Sequence, residues 1–411
     1  MTETAAAAGA PLTDAPFTEA PVASDTLPTD TAALRAVDPS VRRIEDFYAI
    51  VPAGGAGTRL WPVSRQSAPK FLHDLTGSGR TLLQATCDRL SPITGGKIML
   101  VTGVKHVDAC RAQLPNLAAS DVLAEPLPRD SMAAIGLAAA VLQQRHGDVI
   151  VGSFAADHVI SGQVAFEQVV REAVAAARAG YVTTIGIAAS RPSTAFGYVR
   201  SSDSLGIAEA PSALHVTGFT EKPDAATAME YLVTGEYRWN AGMFVVRTDV
   251  LLGHLAAGHP ELAAGLTTIA KAWDTPQRDE VMNATWPGLE KIAIDHAVAE
   301  PVAAQGGVAV VPSTFGWDDI GDFNSLAALL PAVGDSGNKI AGDQSHVLRI
   351  ETGGNVIVPG ANSERVIALL GVNDLVVVDT DDALLVTTRS RAQQVKNVVD
   401  ALHERGIEDV L

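Results

Sequence analysis

The chain has 411 residues, 47% of them hydrophobic, with 36 glycines and a formal net charge of -17. That length accommodates two domains with a substantial core, and the acid excess argues against nonspecific binding to nucleic acid. No apolar run approaches the roughly 18 to 20 residues of a membrane span, and two cysteines, Cys87 and Cys110, supply no disulfide framework, so a reducing, cytoplasmic setting is expected.

Residues 1–44 are rich in Ala, Pro, Thr and Asp. They lack the basic start and apolar core of a signal peptide and show no helical or strand periodicity, so a disordered tail is expected there. Apolar runs then alternate with amphipathic stretches to about residue 331, the pattern of an α/β, Rossmann-like, mostly parallel sheet flanked by helices. Strands are expected over 47–51, 97–102, 148–154, 182–188, 215–219, 239–247 and 307–311. Helices are expected over 107–113, 132–145 and 165–178, the second capped by Asp130 or Ser131. Short strands over 347–350, 355–358, 366–370, 375–378 and 383–386, with Gly, Asn and Asp turns, precede a helix over 391–405. The composition therefore divides the chain into a main domain over 45–335 and a small β-rich domain over 336–411.

The chemistry-bearing stretch follows the first strand: IVPAGGAGTRLWPVSRQSAPKFL, residues 50–72. Gly54, Gly55 and Gly57 leave backbone N–H groups able to approach an anion and tolerate positive φ. Arg59, Arg65 and Lys70 place cations beside them, so that local charge opposes global charge. No Gly-Lys-Ser/Thr triplet closes the turn as a P-loop requires, and Leu60 stands where a dinucleotide fingerprint needs glycine. Turn and cations together read as a cradle for a nucleoside triphosphate, the alternative for the glycine turn alone being an ordinary βα connection.

GGAGTRLWPVSRQSAPKF resembles the signature of mannose-1-phosphate guanylyltransferases, within the sugar-nucleotide pyrophosphorylases. The insert Trp61-Pro62-Val63-Ser64-Arg65 points to the mannose and guanine branch. One departure is that Phe71 follows Lys70 directly, where many bifunctional relatives carry Gln. The resemblance implies a GT-A-like nucleotidyltransferase fold with a β-helix-like module at the C-terminus, GTP and mannose 1-phosphate as substrates, Mg²⁺ (or Mn²⁺) as cofactor, and room for a homodimer. On length, the fused isomerase module of bifunctional relatives is expected to be absent.

Site residues carry over one by one. Gly54, Gly55, Gly57, Thr58, Arg59 and Arg129 fall on the nucleotide side, although Arg129-Asp130-Ser131 replaces the usual Arg-Asn-Thr. Gly197, Glu221, Lys222, Asn240 and Asp295 fall on the sugar-phosphate side, with His296 replacing an aromatic residue. Arg59, Lys70 and Lys222 are the catalytic cations, and Asp157 and Asp319 the metal carboxylates, with Asp318 and Asp322 as rivals of Asp319. Each has an ordinary structural alternative: a helix cap or turn for the aspartates, a surface pair for Glu221 and Lys222, a buried amide for Asn240. The histidines show no zinc-ligand spacing. Two further readings stay open: transfer of another nucleotidyl group to another hexose phosphate, and a noncatalytic subunit that senses GDP-mannose.

Overall fold

The computed structural model describes residues 43–55, 57–360 and 364–411. All but the last two residues of the expected tail lie outside these. A nine-stranded sheet organises the chain up to residue 312. Its strands are β1 (Phe47–Ala53), β2 (Ile98–Gly103), β3 (Val122–Glu125), β4 (Ile150–Ser153), β6 (Val182–Ala188), β7 (Gly197–Ser204), β8 (Leu214–Thr220), β9 (Tyr237–Arg247) and β10 (Val308–Pro312), with β5 (Val159–Ser161) outside the sheet. Their spatial order is β3-β2-β1-β4-β9-β6-β10-β8-β7. β8 and β9 run against the other seven.

Burial explains which segments became strands. β1 and β2 are apolar on both faces because helices cover both. The helix Gln163–Arg178 buries Phe166, Val169, Val170, Ala173, Val174 and Ala177 at helical spacing. The helix Leu82–Thr94 starts in a reciprocal capping box between Thr81 and Gln84. The expected strands all appear, with no end moved by more than two residues. The capping expectation is corrected. The helix Asp130–His146 is capped by Arg129 and no side chain closes it, while Asp130 itself sits at φ 66. Ser131 instead accepts from the backbone N–H of Ile294 at 3.0 Å, so the loop is spent on tertiary contact.

Chain order turns back between β1 and β4: the path leaves β1 toward β2 and β3, then returns to the other side. Such a reversal opens a crevice at the carboxyl ends of the strands, where open α/β sheets hold ligands. The glycine turn after β1 and Asp157 after β4 flank it.

The C-terminal segment forms β11 (Gly316–Asp318), β12 (Ala332–Val333), β13 (Asn338–Ile340), β14 (Val347–Ile350), β15 (Val356–Val358), β16 (Ile367–Leu370), β17 (Leu375–Asp379) and β18 (Leu384–Thr388). β13, β15 and β17 stack in parallel, as do β14 and β16, so the chain winds as a short β-coil. Buried asparagines join its turns. The Asn338 side-chain Oδ1 accepts from the Asn355 backbone N–H and side-chain amide at 3.0 and 2.9 Å, and Asn355 in turn donates to Val372 O at 3.1 Å and accepts from the Leu375 N–H at 2.8 Å. The apolar core of this coil is continuous with Leu60, Trp61, Ile320 and Phe323 of the larger part. The amphipathic helix Val395–Glu404 lies over it through Val395 and Val399.

Replacing Asn355 by Ala strands buried donors and acceptors on two turns of the coil, each costing roughly 1 to 3 kcal/mol. The urea midpoint of unfolding should fall by an amount equivalent to about 3 kcal/mol. A midpoint equal to the parent's would refute the ladder's structural role.

Candidate active site

The glycine turn is shaped for close approach. Gly54 and Gly55 are exposed, with nothing near their Cα atoms and φ 89 at Gly55. Gly57 is the tight position: at φ 56, a Cβ would lie 2.6 Å from Ser64 Oγ and 3.3 Å from Lys70 Cβ. Only glycine lets the turn rest on the Lys70 stem. Thr58 and Arg59 follow in a short helical turn, and Arg59 makes no hydrogen bond or ion pair with a described residue.

Lys70 is the meeting point. Its ammonium lies 3.0 Å from Asp157 Oδ2 and donates to the Asp319 and Ile320 carbonyls at 2.6 and 3.3 Å. The two aspartate segments are joined by an antiparallel ribbon, β5 with β11, in which Val159 faces Asp318. Continuing that register sets His158 across from Asp319. Burial would raise the Asp157 carboxyl, but Lys70 and His158 hold it below the usual carboxylate range. Burial keeps the His158 imidazole below its ordinary value, against the pull of Asp157 and Asp319.

The rivals of Asp319 are otherwise engaged. Asp318 accepts from the Ile320 N–H at 2.7 Å, and Asp322 caps the helix Phe323–Leu329 at 2.7 and 2.8 Å. The Asp319 carboxylate has no hydrogen bond to a described residue. A methyl placed on Gly321 would sit 3.4 Å from that carboxylate and 3.5 Å from Arg59 Nη1, so the two groups face a common space.

A second cleft, of about 610 Å³, is lined by Asp130, Glu221, Lys222, Lys291, Asp295 and His296 among others. Lys222 sits at φ 46 two residues beyond the end of β8 and pairs with Glu221 at 2.8 Å. Gly197 starts β7, and a Cβ there would collide with the Glu221 carboxylate. Asn240 is buried in β9. Its Oδ1 accepts from Thr184 Oγ1 at 2.6 Å and Gly242 N–H at 3.2 Å, which turns its Nδ2 to Asp295 Oδ1 at 2.9 Å. Burial, reinforced by the Glu221 charge, pushes the Asp295 carboxyl up to about 7. Asp295 opens a π-helical turn, Asp295–Ala299.

Two residues lie elsewhere than the sequence suggested. Arg65 is removed from the cation cluster. Its Nε donates to Pro62 O at 2.9 Å, and its other nitrogens reach Asp382 at 2.7 and 2.5 Å and Thr380 Oγ1 at 3.2 Å. A planar guanidinium with donors committed this way has little left for phosphate. Arg129 turns to the Pro287 carbonyl, beside a Trp286 indole that donates to Leu127 O at 2.7 Å.

Sequence reasoning passed over Glu125, at the carboxyl end of β3. Its Oε1 is buried without a partner among the described residues, and burial pushes its carboxyl up to about 7. The signal was its place as the acidic last residue of a short, otherwise apolar strand.

Residues 48–336 match the nucleotidyl transferase family model, and residues 345–402 match the MannoseP isomerase/GMP-like beta-helix domain. The mannose-1-phosphate guanylyltransferase ManC of Salmonella typhimurium is 33% identical over 372 residues, 89% of this chain and 75% of that protein. The chain belongs to the mannose-1-phosphate guanylyltransferase family of nucleotidyl transferases. Xanthan biosynthesis protein XanB of Xanthomonas campestris pv. campestris is 36% identical over 88% of this chain and 74% of its own length. A crystal structure described as a mannose-1-phosphate geranyltransferase from Thermus thermophilus has a TM-score of 0.75 at 30% identity, covering 87% of this chain and 99% of that one. The expected α/β sheet and β-helix-like module are therefore both present, and the chain is a nucleotidyltransferase. Among the described residues no helix is long and apolar enough to cross a membrane.

The raised Asp295 carboxyl has a consequence for stability. An unfolded aspartate releases its proton near pH 4, whereas the folded one holds it to about 7. The native state therefore binds more protons in that window, and stability falls as pH rises through it. Glu125 contributes with the same sign. In Asp295→Asn the fall in unfolding free energy between pH 4.5 and pH 7.5, read by urea titration, should be shallower than in the parent. An unchanged slope would show that Asp295 is ionised throughout.

Proposed function

We propose that the protein transfers GMP from GTP to α-D-mannose 1-phosphate, forming GDP-mannose and diphosphate. The observation that carries this reading is the convergence on Lys70. One ammonium joins the glycine turn, the Asp157 carboxylate and the Asp319 loop, with the Lys222 and Asp295 cleft as the second substrate's place.

A sugar-phosphate oxygen attacks the α-phosphorus in line. A P–O bond forms there as the bond to the β-phosphate oxygen breaks, and diphosphate departs with the electron pair. The attacking monoester is mostly ionised at neutral pH, its second pKa being about 6, so no general base is required. Catalysis rests on positioning and charge neutralisation. The glycine turn offers N–H groups to the triphosphate, and Arg59 and Lys70 offset charge on its oxygens. Lys222 faces the sugar phosphate. Gly197 leaves space at Glu221, and Asn240 orients Asp295 toward the hexose hydroxyls.

Asp157 and Asp319 suit a divalent cation. They are hard oxygen donors, Asp157 is held ionised, and Asp319 is unengaged, while two carboxylates match an ion that completes its shell with phosphates and water. Bound there, Mg²⁺ or Mn²⁺ would supply Lewis-acid neutralisation of the reacting phosphates. The domain limits of 45–335 and 336–411 belong to the same reading, as does a cytoplasmic location, where GTP is held.

Diphosphate release measured with GTP, ATP, UTP and dTTP against mannose, glucose and galactose 1-phosphates tests the assignment. GTP with mannose 1-phosphate should give the highest kcat/KM. Preference for another pair would replace the substrates while leaving the reaction class.

Lys70→Ala should lower turnover by about 10²- to 10³-fold, because a preorganised charge is lost from the transition state. Asp157→Asn and Asp319→Asn should stay folded, lose most activity and require more Mg²⁺, with the double variant little worse than either single one. Metal titration of turnover decides. An unaltered metal requirement in either variant removes that residue from the site.

A further inference from the structure

Arg65 and Trp61, the residues that distinguish the signature segment, both turn away from the crevice and toward the C-terminal coil. Trp61 Nε1 donates to Val410 O at 2.8 Å, 349 residues along the chain. Arg65 closes a two-pronged ion pair on Asp382, with Thr380 as a third contact. Leu60 and Trp61 are buried in the cluster that holds Val376, Val378, Leu385, Val395 and Val399 of the coil and its helix.

The carboxylate loop has anchors of its own on the same module. Ile320 lies in that cluster. Gln393 donates to Asp322, and Arg389 reaches Asn324 Oδ1 at 2.9 and 3.1 Å and Gly354 O at 3.2 Å. Thus the turn carrying Arg59 and the loop carrying Asp319 meet each other through Lys70, and each is tied separately to residues beyond 350.

We propose that Arg65 and Asp382 are positioning residues: through their ion pair the C-terminal coil sets the glycine turn and Arg59 at the distance that the triphosphate needs. Arg65 lies six residues after Arg59 and five before Lys70, within the stretch whose ends must both face phosphate. A segment pinned at Trp61 and Arg65 to the C-terminal coil cannot shift without moving both ends. The inference rests on the reading of residues 54–70 as the nucleotide site.

The pair is also placed to act on geometry more than on global stability. The Arg65 side chain is 15% exposed and Asp382 47%, so the ion pair is screened on one side, and such pairs add little to unfolding free energy. Misplacing a reacting group by about 1 Å, in contrast, can cost roughly 100-fold in rate.

The test uses Asp382→Ala, Arg65→Ala and the exchanged pair Arg65→Asp with Asp382→Arg in the full chain. Each single variant should raise KM for GTP or lower kcat, together about tenfold in kcat/KM for GTP. KM for mannose 1-phosphate should stay within about twofold, and the melting temperature should stay within a few degrees. The exchanged pair should recover part of the loss. Parent turnover in the same assay judges the nucleotide site itself, and a substrate-free measurement judges the clamp. In Asp382→Ala, amide hydrogen exchange should quicken over residues 57–72 and remain unchanged in the strand Ile98–Gly103. Unchanged exchange over 57–72, or equal losses for both substrates with a lowered melting temperature, would overturn the proposal.

Discussion

One ammonium in an acidic protein holds the crevice together. Lys70 is 12% exposed and is satisfied by a carboxylate from the β4 side and by two main-chain carbonyls from the loop after β11. A charge so far removed from water is tolerable only with such partners. The partners in turn fix the spacing of the Lys70 segment against the two aspartate segments. Gly57 allows the turn to sit against the Lys70 stem, and the β5–β11 ribbon brings the second aspartate loop within reach. Removing any one of these leaves the other two without a common reference.

Electrostatics divide the two halves of the crevice. Beside the glycine turn a lysine lowers the carboxyl of Asp157, keeping it ionised. In the cleft beside Lys222, Asp295 is buried near Glu221 and is shifted the opposite way, so that its proton is retained close to neutrality. A protonated carboxyl can donate to a hydroxyl as well as accept from one. The same residue type is therefore held ionised in one place and kept protonated toward neutrality in the other, set apart by their neighbours.

Much of this was legible in the sequence where the signal is local. Parallel strands buried on both faces read as continuous apolar runs, and the coil's short strands were marked by Gly, Asn and Asp turns. The glycine turn and its cations stood within 20 residues. What the sequence left hidden depends on distant pairing. β9 is inserted antiparallel between β4 and β6, and β5 meets β11 across some 150 residues. The engagement of Arg65 by Asp382 spans 317 positions, so an arginine near a phosphate turn looked like a phosphate ligand. Asp130 and Ser131 looked like a helix cap because both side chains suit one, yet tertiary contact with Ile294 claimed the serine.

The end of the coil has a bearing on association. Parallel turns stacked on one another leave an unpaired strand edge at each end, and an open edge invites another chain to add to it. Here β18 folds back antiparallel on β17 from Leu375 to Asp379, so the final edge runs opposite to the stack and cannot extend it in register. The antiparallel β12 does the same at the β13 end. The β13–β15–β17 ladder is thus flanked at both ends by strands of reversed direction, so a further parallel turn cannot be added directly to it.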